Sequence, residues 1–180
     1  MKHVLHRLYW VWDYDKEENW LNEMSAKGLL LQNAGFCNYV FEEGTPGEYL
    51  YRLEFLKHWP RHPESMQYIR FVEDTGIEHV SSFKRWVYFR KKAADGPFDI
   101  FSDMDSRITH INRMLWFTAV LSLANVPNAI LQIFHFFEYK TSANLVLGLL
   151  ILMLSGLLGY GTVRLWRKKR RLQREKMVRE

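Results

Sequence analysis

Two runs without formal charge occupy most of the C-terminal half of this chain. Residues 114–137 lie between Arg113 and Glu138, and residues 141–163 lie between Lys140 and Arg164. The first run has 24 residues and the second 23. At 1.5 Å per residue, each would extend about 35 Å as a helix, against a bilayer hydrocarbon core of about 30 Å. Only Glu138, Tyr139 and Lys140 separate them, so the pattern predicts a transmembrane helical hairpin over 114–163. A chain of 180 residues then leaves room for one small folded domain ahead of the hairpin.

The formal charge of +5 is unevenly distributed. Residues 164–180 carry nine Lys or Arg and two Glu, a balance of +7, which leaves residues 1–163 at −2. The basic character therefore belongs to a tail and not to a nucleic-acid-binding domain. Arg113, Arg164 and Arg167 to Arg171 flank the two spans on one side, whereas the opposite turn carries one charge of each sign. The positive-inside rule puts the N-terminal domain and the tail in the cytoplasm of a two-pass cell-membrane protein. Trp116 and Trp166 fall at that same interface. With Cys37 as the single cysteine, no intrachain disulfide can form, in keeping with a reducing compartment. The N-terminus shows no signal-peptide apolar region.

Residues 1–94 alternate between strand and helix patterns. A strand is expected over 4–12 and a helix from Asp15 to Gly28, with Asp15 and Glu18 as a capping pair. Residues 29–32 and 36–42 are expected to form one strand broken near Gly35. The turn Gly44-Thr45-Pro46-Gly47 is expected to join this strand to residues 48–56 as a hairpin. A second helix over 64–74, with a Met66, Ile69 and Val72 stripe, and a last strand over 83–90 complete a β-α-β-β-α-β order. That order predicts an α+β, ferredoxin-like domain with one sheet face open. Residues 95–113 read as a linker and juxtamembrane helix, with Ser102 and Asp105 as a capping box. No internal repeat is evident.

Three segments carry a family likeness: 12–28 (WDYDKEENWLNEMSAKG), 39–55 (YVFEEGTPGEYLYRLEF) and 85–91 (RWVYFRK). In order and content they resemble domain-of-unknown-function family 2812, over roughly residues 9–105. The resemblance implies a bacterial, mostly Gram-positive, membrane-anchored protein, often encoded beside PadR-type transcriptional regulators. It implies no catalytic residues.

Candidate sites are few. Asn125, Pro127, Asn128, Gln132 and His135 place polar groups and a helix breaker inside the first span, where they either sense or gate, or bond to the second helix. Gly148, Ser155, Gly156 and Gly159 supply small residues for close helix packing, within the hairpin or with another copy. Arg164, Arg167, Lys168, Lys169, Arg170 and Arg171 can bind anionic lipid headgroups. Trp10, Trp12, Trp20, Tyr49, Tyr51, Trp86 and Tyr88 are candidates for a protein-partner or ligand face. The acidic front domain argues against nucleic acid. Pro60 disfavours the helix that would align His58 and His62 on a metal, and no nucleophile elbow, triad order or phosphate loop is present. The residues thus lead to a non-enzymatic regulatory protein that binds a cytosolic protein, or else to a small-molecule or lipid-responsive binding protein, with no cofactor.

Overall fold

The computed structural model describes residues 1–100 and 104–179. The chain forms two units, Met1–Ser106 and Arg107–Glu180. In the first, strand β1 (Lys2–His6) leads through a short 3-10 turn (Val11–Asp13) into helix α1 (Tyr14–Ala26). Strands β2 (Leu29–Gly35), β3 (Asn38–Glu43) and β4 (Tyr49–Phe55) follow. Helix α2 (Pro63–Glu73) and strands β5 (Glu78–Phe83) and β6 (Trp86–Lys92) complete the unit.

In place of the single sheet of a ferredoxin-like sandwich there are two antiparallel three-stranded sheets, ordered β1-β3-β2 and β4-β6-β5. The topology is β-α-β-β, executed twice. From the first helix onward each feature recurs 48 positions later: Gly28 and Gly76 both end their helices at positive φ, the register breaks at Leu31/Asn33 in β2 and at His79/Ser81 in β5, and β3 starts at Asn38 where β6 starts at Trp86. Equivalent core positions agree in character. Leu21 and Ile69, Met24 and Val72, Tyr39 and Val87, and Phe41 and Phe89 are all buried.

The difference from the sequence expectation arises at two turns. Phe36-Cys37 and Lys84-Arg85 each close a two-residue hairpin, with φ of +54° at Cys37 and at Lys84. Neither turn has glycine, asparagine or aspartate at those positions, so the usual sequence signal is missing. The expected Gly44–Gly47 hairpin does not form, because β3 and β4 lie in different sheets. That loop instead docks on the end of α1, where Gly44 N donates to Gly28 O (2.9 Å) and Gly47 N donates to Ser25 O (2.8 Å). Gly28 is confined to glycine by its φ of +81° and by the Gly44 carbonyl, which a Cβ would meet at 2.9 Å.

Two hydrophobic cores follow from the duplication. In the first, α1 packs through Trp20, Leu21 and Met24 on Leu31, Tyr39 and Phe41 of one sheet and on Tyr49, Tyr51, Leu53 and Tyr88 of the other. In the second, α2 packs Ile69 and Val72 on Val87 and Phe89, with Leu56 and Phe98. Ser65 joins Ile69 and Val72 on the buried face of α2, while Met66 is exposed, contrary to the expected stripe. Strands β2 and β5 adjoin without a ladder. They are joined at their irregular positions by Ser81 Oγ, which accepts from Ala34 N (3.1 Å) and donates to Asn33 Oδ1 (2.8 Å).

The second unit consists of the long helices α3 (Met104–Tyr139) and α4 (Ser142–Arg179), both long and apolar enough to cross a bilayer. Lys140, at φ +54°, makes the turn and its N–H caps Phe136 O at 2.8 Å. Pro127 lies inside α3. Of the expected capping box, Ser102 lies outside the described residues.

Candidate functional site

The chemistry of the N-terminal unit centres on α1. Asp13, not Asp15, is its N-cap residue, and the carboxylates of Glu17 and Glu18 both point into the fold. Glu17 Oε1 accepts from Tyr39 Oη and from Tyr88 Oη, each at 2.7 Å. The two tyrosines come from the central strands of the two sheets, so one carboxylate joins both repeats. Glu17 is 7% exposed and has no cationic partner among the described residues. Burial pushes its carboxyl above the ordinary value of 4.5, against the two tyrosine hydrogen bonds that pull it down.

This raised acid has a defined consequence. Well below pH 4.5 Glu17 is protonated folded or unfolded and contributes no pH dependence. Above that value the unfolded chain ionises first and folded-state stability falls until pH passes the raised folded value. Glu17→Gln removes this slope. The expected result is a melting temperature for the parent protein that drops relative to Glu17→Gln as pH rises through and above 4.5. Equal slopes for the two proteins would show that Glu17 does not ionise at a cost.

The next residues on the helix act as a surrogate strand. Leu53 N donates to Glu18 Oε2 (3.1 Å), Tyr51 N donates to Asn22 Oδ1 (2.7 Å), Asn22 Nδ2 donates to Tyr51 O (3.2 Å) and Ser25 Oγ donates to Tyr49 O (2.6 Å). Glu18, Asn22 and Ser25 are spaced by helical turns, and Tyr49, Tyr51 and Leu53 alternate along the outer edge of β4. The edge that lacks a strand neighbour is thereby hydrogen-bonded by side chains. Arg52 Nη1 also reaches Glu18 Oε1 at 3.1 Å, yet burial outweighs it and the Glu18 carboxyl is still raised.

The equivalent edge of the first repeat is open among the described residues. In β1, Met1 O, Arg7 N and the residue pairs between them tie the odd positions to β3. Ladder alternation then turns the backbone of Lys2, Val4 and His6 outward. All three residues are exposed. The α2 positions equivalent to Glu18, Asn22 and Ser25 are Met66, Arg70 and Glu73, and these too are exposed.

The aromatic candidates do not form one face. Trp12 is buried and stacks on the partly exposed Trp10, with centroids 5.2 Å apart. Trp20 is buried edge-on to Tyr39 and Phe41, beneath the Arg7 guanidinium. Trp86 is half-buried between Tyr14 and Phe55. Tyr49 lies under Arg90, and Tyr51 accepts from Leu31 N at 3.0 Å. Tyr51 and Tyr88 are interior groups; among the named aromatics the largest exposed ring surface is that of Trp10. Glu17 carries no sequence signal of this role, since Lys16, Glu17 and Glu23 read as the solvated face of the helix.

His58, His62 and Glu64 come within 4.8 Å of one another through their ligand atoms, and this is the one such group among the described residues. The loop after β4 stacks the two imidazoles 4.2 Å apart with no helix between them. Three donors at that spacing could hold a cation. Within the chain they begin α2: His62 Nδ1 accepts from Glu64 N (3.3 Å), and the Glu64 carboxylate faces Lys57 and His58.

In the helical unit the interhelical polar contacts bring Thr118, Ser122, Thr162 and Asn112, which carry no sequence signal, together with the candidates Ser155 and Lys169. Thr162 Oγ1 donates to Thr118 Oγ1 (2.9 Å), Ser122 Oγ donates to Ser155 O (2.8 Å) and Lys169 Nζ donates to Asn112 Oδ1 (2.8 Å). Gly148 sits where a Cβ would come within 2.8 Å of Ile133, and Gly159 lies against Ser122, whereas Gly156 faces open space. Asn125 and Asn128 do not reach α4. Their amides donate to Leu121 O (2.7 Å) and Ala124 O (3.4 Å) of their own helix. Gln132 is half-buried, and the exposed His135 lies against Tyr139. In the basic segment of α4, Arg167, Arg170 and Arg171 are exposed beside Trp166, over which Arg170 lies at 4.1 Å; Arg164, Lys168 and Lys169 are half-buried.

No curated protein and no solved structure matches this chain. A family model described as "Protein of unknown function (DUF2812)" matches residues 13–123, from the turn before α1 into the first long apolar helix. The match spans more than half of the chain, and the protein belongs to the DUF2812 family.

Proposed function

We propose that this protein is a membrane-anchored, non-enzymatic regulatory module whose N-terminal domain binds a cytosolic protein along the outer edge of β1. The hairpin lies in the bilayer, with the N-terminal domain and the basic segment on the cytoplasmic side and Trp166, Arg167, Arg170 and Arg171 at the headgroups. The observation that carries the reading is the contrast between two equivalent edges: α1 side chains occupy that of β4, and none of the described residues occupies that of β1. An edge with free backbone donors and acceptors accepts an added strand.

The test is a photocrosslinking residue at the exposed Lys2 of the full-length protein in its host cells, with and without Val4→Pro. A PadR-type regulator is the first partner to look for. The expected result is a discrete adduct that disappears in Val4→Pro, because that substitution removes an outward N–H without touching the β1–β3 ladder. Absence of an adduct, or an adduct indifferent to Val4→Pro, would sink the reading.

A second reading is favoured by Glu17. A buried carboxylate with two tyrosine hydroxyls and no counter-charge would be neutralised by a small organic cation. Tryptophan fluorescence across a panel of such cations is expected to respond through Trp20, and the response is expected to vanish in Glu17→Gln. A panel without effect would leave Glu17 a structural link between the repeats.

A further inference from the structure

We propose that the hairpin self-associates in the bilayer, with Asn125, Asn128, Gln132 and His135 of α3 forming the contact with a second copy of this chain. The inference rests on the hairpin being membrane-embedded. The four residues are spaced three, four and three apart, which confines them to an arc of about 80° on a helix of 100° per residue. That arc flanks the α4-facing side: Asn125 and Gln132 are half-buried at its margin, and Asn128 and His135 are exposed. The α4 contact is already filled by Thr118, Ser122 and Thr162 and by the close approach at Gly148.

The stripe is under-bonded within one chain. Asn125 and Asn128 each use one N–H on a carbonyl of their own helix, and their side-chain oxygens accept no hydrogen bond from the described residues. Gln132 has no hydrogen-bond partner among the described residues. In hydrocarbon such groups have no water to turn to, so a protein partner is favoured. A second copy is the occupant that the chemistry selects. A carboxamide is donor and acceptor at once, so this stripe complements itself across a two-fold axis, as a row of carboxylates or ammonium groups would not. The seven-residue period matches the left-handed crossing of paired helices, and no formal charge lies between Arg113 and Glu138 to oppose it.

The experiment uses full-length protein reconstituted in phosphatidylcholine–phosphatidylglycerol vesicles, in a Cys37→Ser background. Flotation is measured first, then oxidative crosslinking of Asn128→Cys against Leu123→Cys, a highly exposed position about half a turn away. The expected result is co-flotation, dimer from Asn128→Cys alone, and a dissociation constant raised about tenfold by the pair Asn125→Leu and Asn128→Leu, read by energy transfer between labelled copies. Protein that floats but stays monomeric, as it would if the stripe served a different membrane protein, overturns the proposal and leaves the membrane reading standing. So does protein that crosslinks equally at Leu123. Protein that fails to float overturns both.

Discussion

Phe41→Ala is expected to destabilise the N-terminal unit by about 3–5 kcal/mol, the range for truncating a fully buried phenylalanine. Phe41 is wholly inaccessible on the central strand of the first sheet, and Trp20 meets its ring edge-on at 5.6 Å. Removing the ring takes away the transfer term and the aromatic pair together, and it leaves a void under α1. Small domains are stable by about 5–15 kcal/mol, so much of the margin would be lost. Phe89, 48 positions on and equally inaccessible, should give a loss of the same size from the second core. Denaturant unfolding of the full-length protein in detergent reads both variants. Because Glu17, Ser81 and Asn22 tie the repeats together, each variant should shift one common transition. Two transitions moving separately would show that the repeats unfold independently, and a loss below about 1.5 kcal/mol in either would contradict the packing described.

Asn22→Leu is expected to cost about 2–4 kcal/mol, although the site is only part-buried and leucine favours helix. The asparagine amide satisfies both the N–H and the C=O of Tyr51, at 2.7 and 3.2 Å. Leucine fills similar space but leaves both backbone groups without partners, and each orphaned group costs about 1–3 kcal/mol. Amide hydrogen exchange separates this account from a simple packing defect. Protection should fall first at Tyr51 and Leu53 on the outer edge of β4, while the β4–β6 ladder amides are affected later. Ser25→Ala, which removes the single bond to Tyr49 O, should act in the same direction with a smaller loss. Uniform loss of protection across the sheet would argue against the clamp.

The two helices of the N-terminal unit were legible because their apolar spacing and their closing glycines are local signals. Gly28 and Gly76 stand where a helix must stop, and Leu21, Met24, Ile69 and Val72 mark the buried faces. The duplication was not legible. Equivalent positions share burial but seldom identity: Gly28 with Gly76 and Phe41 with Phe89 agree, whereas Tyr39 faces Val87 and Trp20 matches Tyr68. The hairpin turns carry no sequence signal, because Cys37 and Lys84 take left-handed φ without the residues that usually announce it. Of the candidate site, Tyr88 was singled out but for the wrong setting, since its hydroxyl points to Glu17 and not to a partner.

The unaided sequence determined the two long apolar helices, the basic C-terminal segment and the alternation of short helices and strands. Each of these rests on composition or periodicity within a single segment. Tertiary structure alone decided that Glu17 would be buried between two tyrosines, that Asn22 would complete a strand edge, and that no described residue of the chain would pair the outer edge of β1 or link the Asn125 and Asn128 amides of α3 to α4. Those outcomes depend on which distant segments meet, and a carboxylate or carboxamide is the same residue in sequence whether it faces water or an unpaired backbone group.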